Sequence, residues 1–145
     1  MTLSSPLNTQ QLELESITTL ESQLQQRQSL AAIGQRYTDI VWAAGLFEGE
    51  GYISTNTKTK TNHYWCIGIE MTDKDVLDRY ANVIGSNLLR PRKTMKKLQK
   101  KQSWIVVTTK RSEVLRILKM FLPHFGKRRA AKAIEAINHL HEIIN

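Results

Sequence analysis

The chain of 145 residues contains a single cysteine, Cys66. One thiol excludes an internal disulfide and any zinc site built on a cysteine cluster. It fits an intracellular, reducing compartment such as a bacterial cytoplasm or an organelle stroma or matrix. With 3 prolines and 7 glycines the composition is far from collagenous or low-complexity chains. No apolar run approaches the roughly 18 residues of a membrane span, so no membrane partner is expected. Residues 1–6 have neither the positive start nor the apolar stretch of a secretory signal. His63, His124, His139 and His141 stand at no zinc-ligand spacing with the cysteine, and no glycine-rich phosphate loop occurs. Zinc chemistry and nucleotide hydrolysis are therefore set aside. The remaining class is a soluble chain long enough to bury a core.

Acidic residues are scarce where basic ones concentrate. Residues 1–50 hold 2 basic and 6 acidic side chains, a net of −4, whereas residues 51–145 hold 19 basic and 7 acidic ones, a net of +12. A domain so skewed predicts a polyanionic partner, nucleic acid before any other. The densest tract, Arg90 to Lys101, has seven basic residues and no acid in twelve positions. Phosphate contacts from Arg90, Arg92, Lys93, Lys96 and Lys97 are one use for it; a solvated hairpin turn is the other.

The hydropathy pattern divides the chain. Residues 1–36 form a glutamine-rich appendage. Asn8 followed by Gln11 makes a capping pair, and Ile17, Leu20 and Leu24 recur at helical spacing, predicting a helix from Asn8 to Gln28. A separate domain is expected over 37–145. Thr38 or Asp39 caps a helix through Phe47 that Gly49 and Gly51 end. Strands follow over 52–58 and 63–71, the second alternating Trp65, Ile67, Ile69 and Met71 against Tyr64, Cys66, Gly68 and Glu70. Thr72 or Asp73 caps a helix over 74–84 that Gly85 closes. Strands over 87–97 and 102–109, a helix over 111–122 stopped before Pro123, and a last helix over 127–144 complete the order αββαββαα. This is an α+β class with a four-stranded antiparallel sheet and helices on one face. Pro91 inside a strand predicts an edge position or a bulge. Trp65 and Trp104 are expected to pack into the core. The polar strand faces carry Ser54, Asn56, Lys58, Glu70, Arg90 and Arg92, a pattern suited to a major groove or, equally, to solvent.

Two carboxylates, Glu48 and Glu50, stand where the first domain helix finishes. The macrodipole is negative there, so acids are unfavourable and Lys or Arg would serve a helix end better. Carboxylates at that end suggest a divalent cation with hard oxygen ligands, Mg²⁺ above all; exposed loop acids are the alternative. The preceding Ala43-Ala44-Gly45 is small enough to admit a second backbone closely.

The run Ala44-Gly45-Leu46-Phe47-Glu48-Gly49-Glu50-Gly51 resembles the signature of the LAGLIDADG homing endonucleases, with Phe for Ile, Glu for each Asp and Gly for the second Ala. The order of elements from Tyr37 onward is similar to that family's core, over about three quarters of the chain. The resemblance implies a Mg²⁺-dependent DNA endonuclease, with Mn²⁺ as a substitute, that cuts double-stranded DNA and leaves 3′ overhangs. A single motif implies a homodimer on a nearly palindromic site, with Ala44, Gly45 and Glu48 at the interface. By the same resemblance Glu50 and the carbonyl of Gly49 hold the metal and Asp73 orients water, a helix N-cap being its other role. The basic residue at the scissile phosphate is Lys127 or Arg128. Ser54, Asn56, Lys58, Lys60, Tyr64, Cys66, Glu70, Arg90 and Arg92 face DNA. The family context is an intron-encoded or otherwise mobile element. Two further functions fit the same expected fold: a non-catalytic DNA-binding regulator, and a maturase binding intron RNA.

Overall fold

In the computed structural model residues 8–59, 62–93 and 101–144 are described, the side chains of 56–59, 62, 63 and 144 excepted. The elements are α1 (Thr9–Glu50), β1 (Gly51–Thr59), β2 (Asn62–Met71), α2 (Lys74–Ile84), β3 (Arg90–Pro91), β4 (Trp104–Thr108), α3 (Arg111–Phe121), a 3₁₀ turn (Leu122–His124) and α4 (Lys127–Ile144). The chain divides into two compact units, Met1–Thr38 and Asp39–Asn145.

In the first unit the described residues are helical from Thr9 onward. Asn8 and Gln11 form the expected reciprocal cap: Gln11 N–H donates to Asn8 Oδ1 at 2.8 Å and Asn8 N–H to Gln11 Oε1 at 3.1 Å. Leu12, Leu14, Ile17, Leu20 and Leu24 are all exposed. The expected break between two helices does not occur, because α1 continues without interruption to Glu50. Thr38 does not cap a new start; its Oγ1 donates to the Gly34 carbonyl at 2.9 Å within the helix. Asp39 lies 3.9 Å from Arg79 of α2. A lone Gly34 costs a helix only about 1 kcal/mol, too little to end it.

The second unit is built on a sheet of order β1-β2-β4-β3, antiparallel throughout. Tyr52 lies opposite Gly68, Ser54 opposite Cys66, and Ile67 and Ile69 opposite Thr108 and Val106. One face carries Ile53, Trp65, Ile67, Ile69 and Val106, all buried under the helices. Leu77 and Tyr80 of α2, Ile117 and Phe121 of α3, and Ala136 and Leu140 of α4 complete this core. Burial raises the Tyr80 hydroxyl far above its ordinary pKa, so it stays neutral. The alternation that buries this face turns Tyr52, Ser54, Glu70 and Ile105 to the opposite one.

α2 spans the predicted residues, and Gly85 closes it with φ of 70°, a left-handed conformation that glycine adopts without strain. Pro91 lies on the edge strand β3, where its missing donor is harmless. The expected strand over 87–97 is reduced, among the described residues, to Arg90–Pro91. The Leu88 N–H turns back onto the Ser86 hydroxyl at 3.1 Å instead of entering a ladder. Trp65 is buried as expected, while Trp104 is only partly covered, with the Lys74 ammonium 5.2 Å from its ring. No helix among the described residues is long and apolar enough to cross a membrane.

Candidate functional site

The end of α1 is fixed by an aromatic cluster. Phe47 is fully buried, with its ring centroid 5.8 Å from that of Phe121 and 5.7 Å from that of Phe125. The chain then passes directly into β1 against the Phe47 ring. A Cβ on Gly51 would lie 2.5 Å from Phe47 Cδ2, so only glycine fits. The glycine is required by close approach, not by an unusual φ.

The two acids differ in their surroundings. Glu48 is turned toward the start of α4. Its Oε1 accepts from the Gly126 N–H at 3.2 Å and its main-chain carbonyl accepts from Arg129 Nη2 at 3.0 Å. Its Oε2 is enclosed without a hydrogen bond, 3.7 Å from Arg129 Nε, so charge attraction alone holds that oxygen. Glu50, at the last position of α1, is exposed, and no hydrogen bond or ion pair engages its carboxylate among the described residues. Glu48 is thus committed to joining α1 to α4, and Glu50 is left available.

That junction places the Gly126-Lys127-Arg128 segment beside the acidic end. Arg128 lines a cleft of about 650 Å³ together with Glu48, Tyr52, Arg129, Lys132 and Glu135. Lys127 is exposed at the first position of α4 and is not among the residues lining that cleft. Asp73 stands at the N-cap position of α2, but its side chain makes no capping hydrogen bond and is exposed. The capping role is therefore not the one it plays. The β1–β2 register, with Gly51 opposite Ile69, puts the end of β2 and Asp73 at the same end of the sheet as Glu50.

A divalent cation is compatible with this end of the molecule. No group of three His, Cys, Asp or Glu side chains gathers there among the described residues. Mg²⁺, however, characteristically takes one or two carboxylates and completes its shell with water and substrate phosphates. One free carboxylate, Glu50, beside the carbonyl of Gly49 supplies hard oxygens of the right kind.

The open sheet face carries the remaining candidates. Arg92 forms an ion pair with Glu70, whose Oε1 accepts from the Ser103 hydroxyl at 3.0 Å. Gln102 Nε2 donates to the carbonyls of Arg92 and Ser103, each at 2.8 Å, and pins the backbone beneath the pair. Tyr52, Glu70, Arg90, Arg92, Lys93 and Ile105 line a second cleft of about 770 Å³. Ser103, only 3% exposed, is not foreshadowed by the sequence, because a lone serine beside a lysine-rich turn carries no pattern.

Some expectations need correction. Cys66 lies on the open face but is 8% exposed and 3.3 Å from the Ser54 hydroxyl, so it offers little surface to a ligand. Ala44 is fully buried by its own chain and has no surface to give to a second copy. The bare face of the helix is instead made by Val41, Gly45 and Gly49; a Cβ on either glycine would meet nothing within 4 Å. Tyr64 is half-buried. Asn56 lies opposite it and Lys58 lies within β1, but their side chains, like Lys60, Lys96 and Lys97 entirely, fall outside the described residues.

No protein-family model matches the chain, and no curated protein matches it by sequence. Solved structures do match. The homing endonuclease I-CvuI in complex with the I-CreI target superposes with a TM-score of 0.60 at 15% identity, over 77% of this chain and 71% of that one. The I-LtrWI LAGLIDADG homing endonuclease bound to target DNA gives a TM-score of 0.61 at 15% identity, over 75% of this chain and 39% of that one. The fold is that of the LAGLIDADG homing endonucleases. The group I intron-encoded homing endonuclease I-CeuI, complexed with DNA, covers 100% of this chain with 79% of its own length, at a TM-score of 0.57 and 15% identity.

Proposed function

We propose that this protein is a site-specific double-strand DNA endonuclease acting as a homodimer on a long, nearly palindromic site. One observation carries the reading. Glu48 is spent on tying α1 to α4, which leaves Glu50 free at the head of an open sheet face bearing Arg90, Arg92 and Lys93. A fold needing only a stable helix end would have no use for a second, unpaired carboxylate against the macrodipole. Solved structures of the same fold include DNA complexes, and one was determined in the presence of Mg and another in the presence of Ca.

The chain's own groups divide the work. The basic sheet face holds the phosphate backbone and sets register, and its polar side chains meet base edges in the major groove. Glu50 and the Gly49 carbonyl would hold Mg²⁺, or Mn²⁺ in its place, as hard oxygen ligands. The bound cation supplies a nucleophile at neutral pH and charge stabilisation at the leaving oxygen. Arg128, in the cleft beside Glu48, or Lys127, one residue before it, offsets charge developing on the phosphate. Asp73, at the same end of the sheet and free of a capping bond, accepts a hydrogen bond from water there. The bare Val41, Gly45 and Gly49 face admits the backbone of a second copy, and a twofold arrangement yields one cut per strand and 3′ overhangs.

Incubation of the protein with a library of randomised long duplexes, in Mg²⁺ or in EDTA, followed by sequencing of the ends, tests the proposal. The expected result is Mg²⁺-dependent cutting at a near-palindrome. Salt-sensitive binding to duplex DNA without any cutting would replace the endonuclease with a non-catalytic binder. Preference for structured RNA over duplex would point instead to an intron maturase.

A further inference from the structure

Tyr52 is the first side chain on the open sheet face after Glu50. Only Gly51 separates them, two residue steps or about 7 Å of chain. It lines both clefts, the one beside Arg128 and the one beside Arg92, and so stands where the acidic end meets the sheet face. Its strand partner is Gly68. A Cβ on Gly68 would lie 2.5 Å from Tyr52 Cζ and closer still to its hydroxyl oxygen, so the ring lies flat across the bare glycine instead of rising from the sheet. Gly68 is buried for that reason. Beyond Gly68 the register continues to Val107, with Ile105 two residues away on the same face. Ring, Val107 and Ile105 make an apolar strip within an otherwise polar face. Glu70, Arg90 and Arg92 border it on one side, and the Ser54–Cys66 pair on the other.

We propose that Tyr52, laid over Gly68, is a specificity-determining residue: an apolar platform that selects thymine at the base pair beside the cut. Among the base-edge groups of the major groove the thymine methyl is the one bulky apolar group, the feature an apolar surface favours. A flat ring over glycine also lets the groove floor come closer than an upright side chain would. The hydroxyl is held above its ordinary pKa by burial first, then by Cys66 and Glu70, so the platform carries no charge against the phosphates. This inference rests on the endonuclease reading, since it requires duplex DNA on the sheet.

The test is a base-preference profile from binding selection on randomised duplexes, with cut sites mapped in Mg²⁺, for wild type, Tyr52→Phe, Tyr52→Ala and Gly68→Ala. Wild type is expected to prefer thymine at one position per half-site next to the cut. Tyr52→Phe keeps that preference, because the ring and not the hydroxyl provides it. Tyr52→Ala lowers it about tenfold at that position alone. Gly68→Ala, which leaves the tyrosine in place but expels its ring, gives the same local loss and decides the matter if Tyr52→Ala does not fold. An unchanged profile in both Tyr52→Ala and Gly68→Ala overturns the platform while leaving the endonuclease intact. Equal loss in Tyr52→Phe and Tyr52→Ala overturns it in favour of a hydroxyl contact. A wild-type protein that ignores duplex DNA removes both readings together.

Discussion

The indole N–H of Trp65 donates to Nδ1 of His139 at 2.7 Å, joining β2 of the sheet to α4 through the core. An indole nitrogen only donates, so His139 Nδ1 must be the unprotonated nitrogen and the tautomer is set. The rings meet edge to face with centroids 6.1 Å apart, and the Lys132 ammonium stands 5.3 Å from the Trp65 ring. Trp65→Phe removes the donor and strands a partly buried acceptor. It is expected to cost about 2 kcal/mol and lower Tm by about 10 °C. Thermal unfolding followed by circular dichroism measures it, and an unchanged Tm would show that the bond contributes nothing net.

Glu48 and Glu50 should separate cleanly. Glu48→Ala frees the Gly126 N–H and removes the carboxylate beside Arg129 Nε, while the main-chain carbonyl keeps its bond from Arg129 Nη2, at a cost of about 1–2 kcal/mol to the folded state. Denaturant titration should show the loss even in EDTA, where no metal is present to be lost.

Glu50→Gln should behave in the opposite way. With no partner to lose, its stability should stay within about 0.5 kcal/mol of wild type, while cutting falls at least about a hundredfold. Gel-shift affinity for the selected site, measured in EDTA, should be retained. Wild-type cleavage by this variant would move the metal away from Glu50.

Lys93 is exposed at the rim of the sheet-face cleft, where it can reach phosphate without reading a base. Lys93→Gln is expected to weaken binding evenly across target sequences. It should also make the slope of log K against log salt shallower, by about 0.9 for each phosphate that the side chain no longer neutralises. A change in base preference instead of salt slope would place Lys93 among the residues that read sequence.

The pH dependence of stability has one legible contributor. Glu113, in the first turn of α3, is held below its ordinary value near 4.5, chiefly by its hydrogen bond to Arg116, whose guanidinium also donates to the Ile84 carbonyl at the end of α2. A depressed carboxylate stabilises the fold above its unfolded pKa, and that contribution disappears as pH falls through the lower folded value. The pair is solvent-exposed, so the effect is small. Glu113→Gln should flatten the acid limb of the Tm profile below about pH 4.5 and leave it unchanged near neutrality.

Elements bounded by strong local chemistry are legible in the sequence. α2, closed by a left-handed Gly85, and α4, starting after Gly126, fall where pattern and punctuation put them. The hairpin and the edge placement of Pro91 follow from alternation and a missing N–H. What is not legible depends on partners distant in sequence. The stripe Ala43-Ala44-Gly45 does not reveal which small residue faces outward; the aromatic cluster on Phe47 decides that, burying both alanines and leaving Gly45 bare. The continuity of α1 is hidden because Thr38 reads as an N-cap until its hydroxyl is seen bonding inside the helix. Tyr52 carries no sequence signal because its placement depends on a glycine sixteen residues away, and Ser103 none because its partner Glu70 lies far off in sequence, on β2.

The fit of Gly51 against Phe47 sets two different physical demands on adjacent residues. Glu50 rests on nothing among the described residues, so its replacement would leave the fold standing. Gly51 answers to the hydrophobic core, where any side chain would collide with a ring 2.5 Å away, and it must outlast the chemistry. A chain that had drifted into a pure binder would therefore keep the glycine and lose the acid. This one carries both.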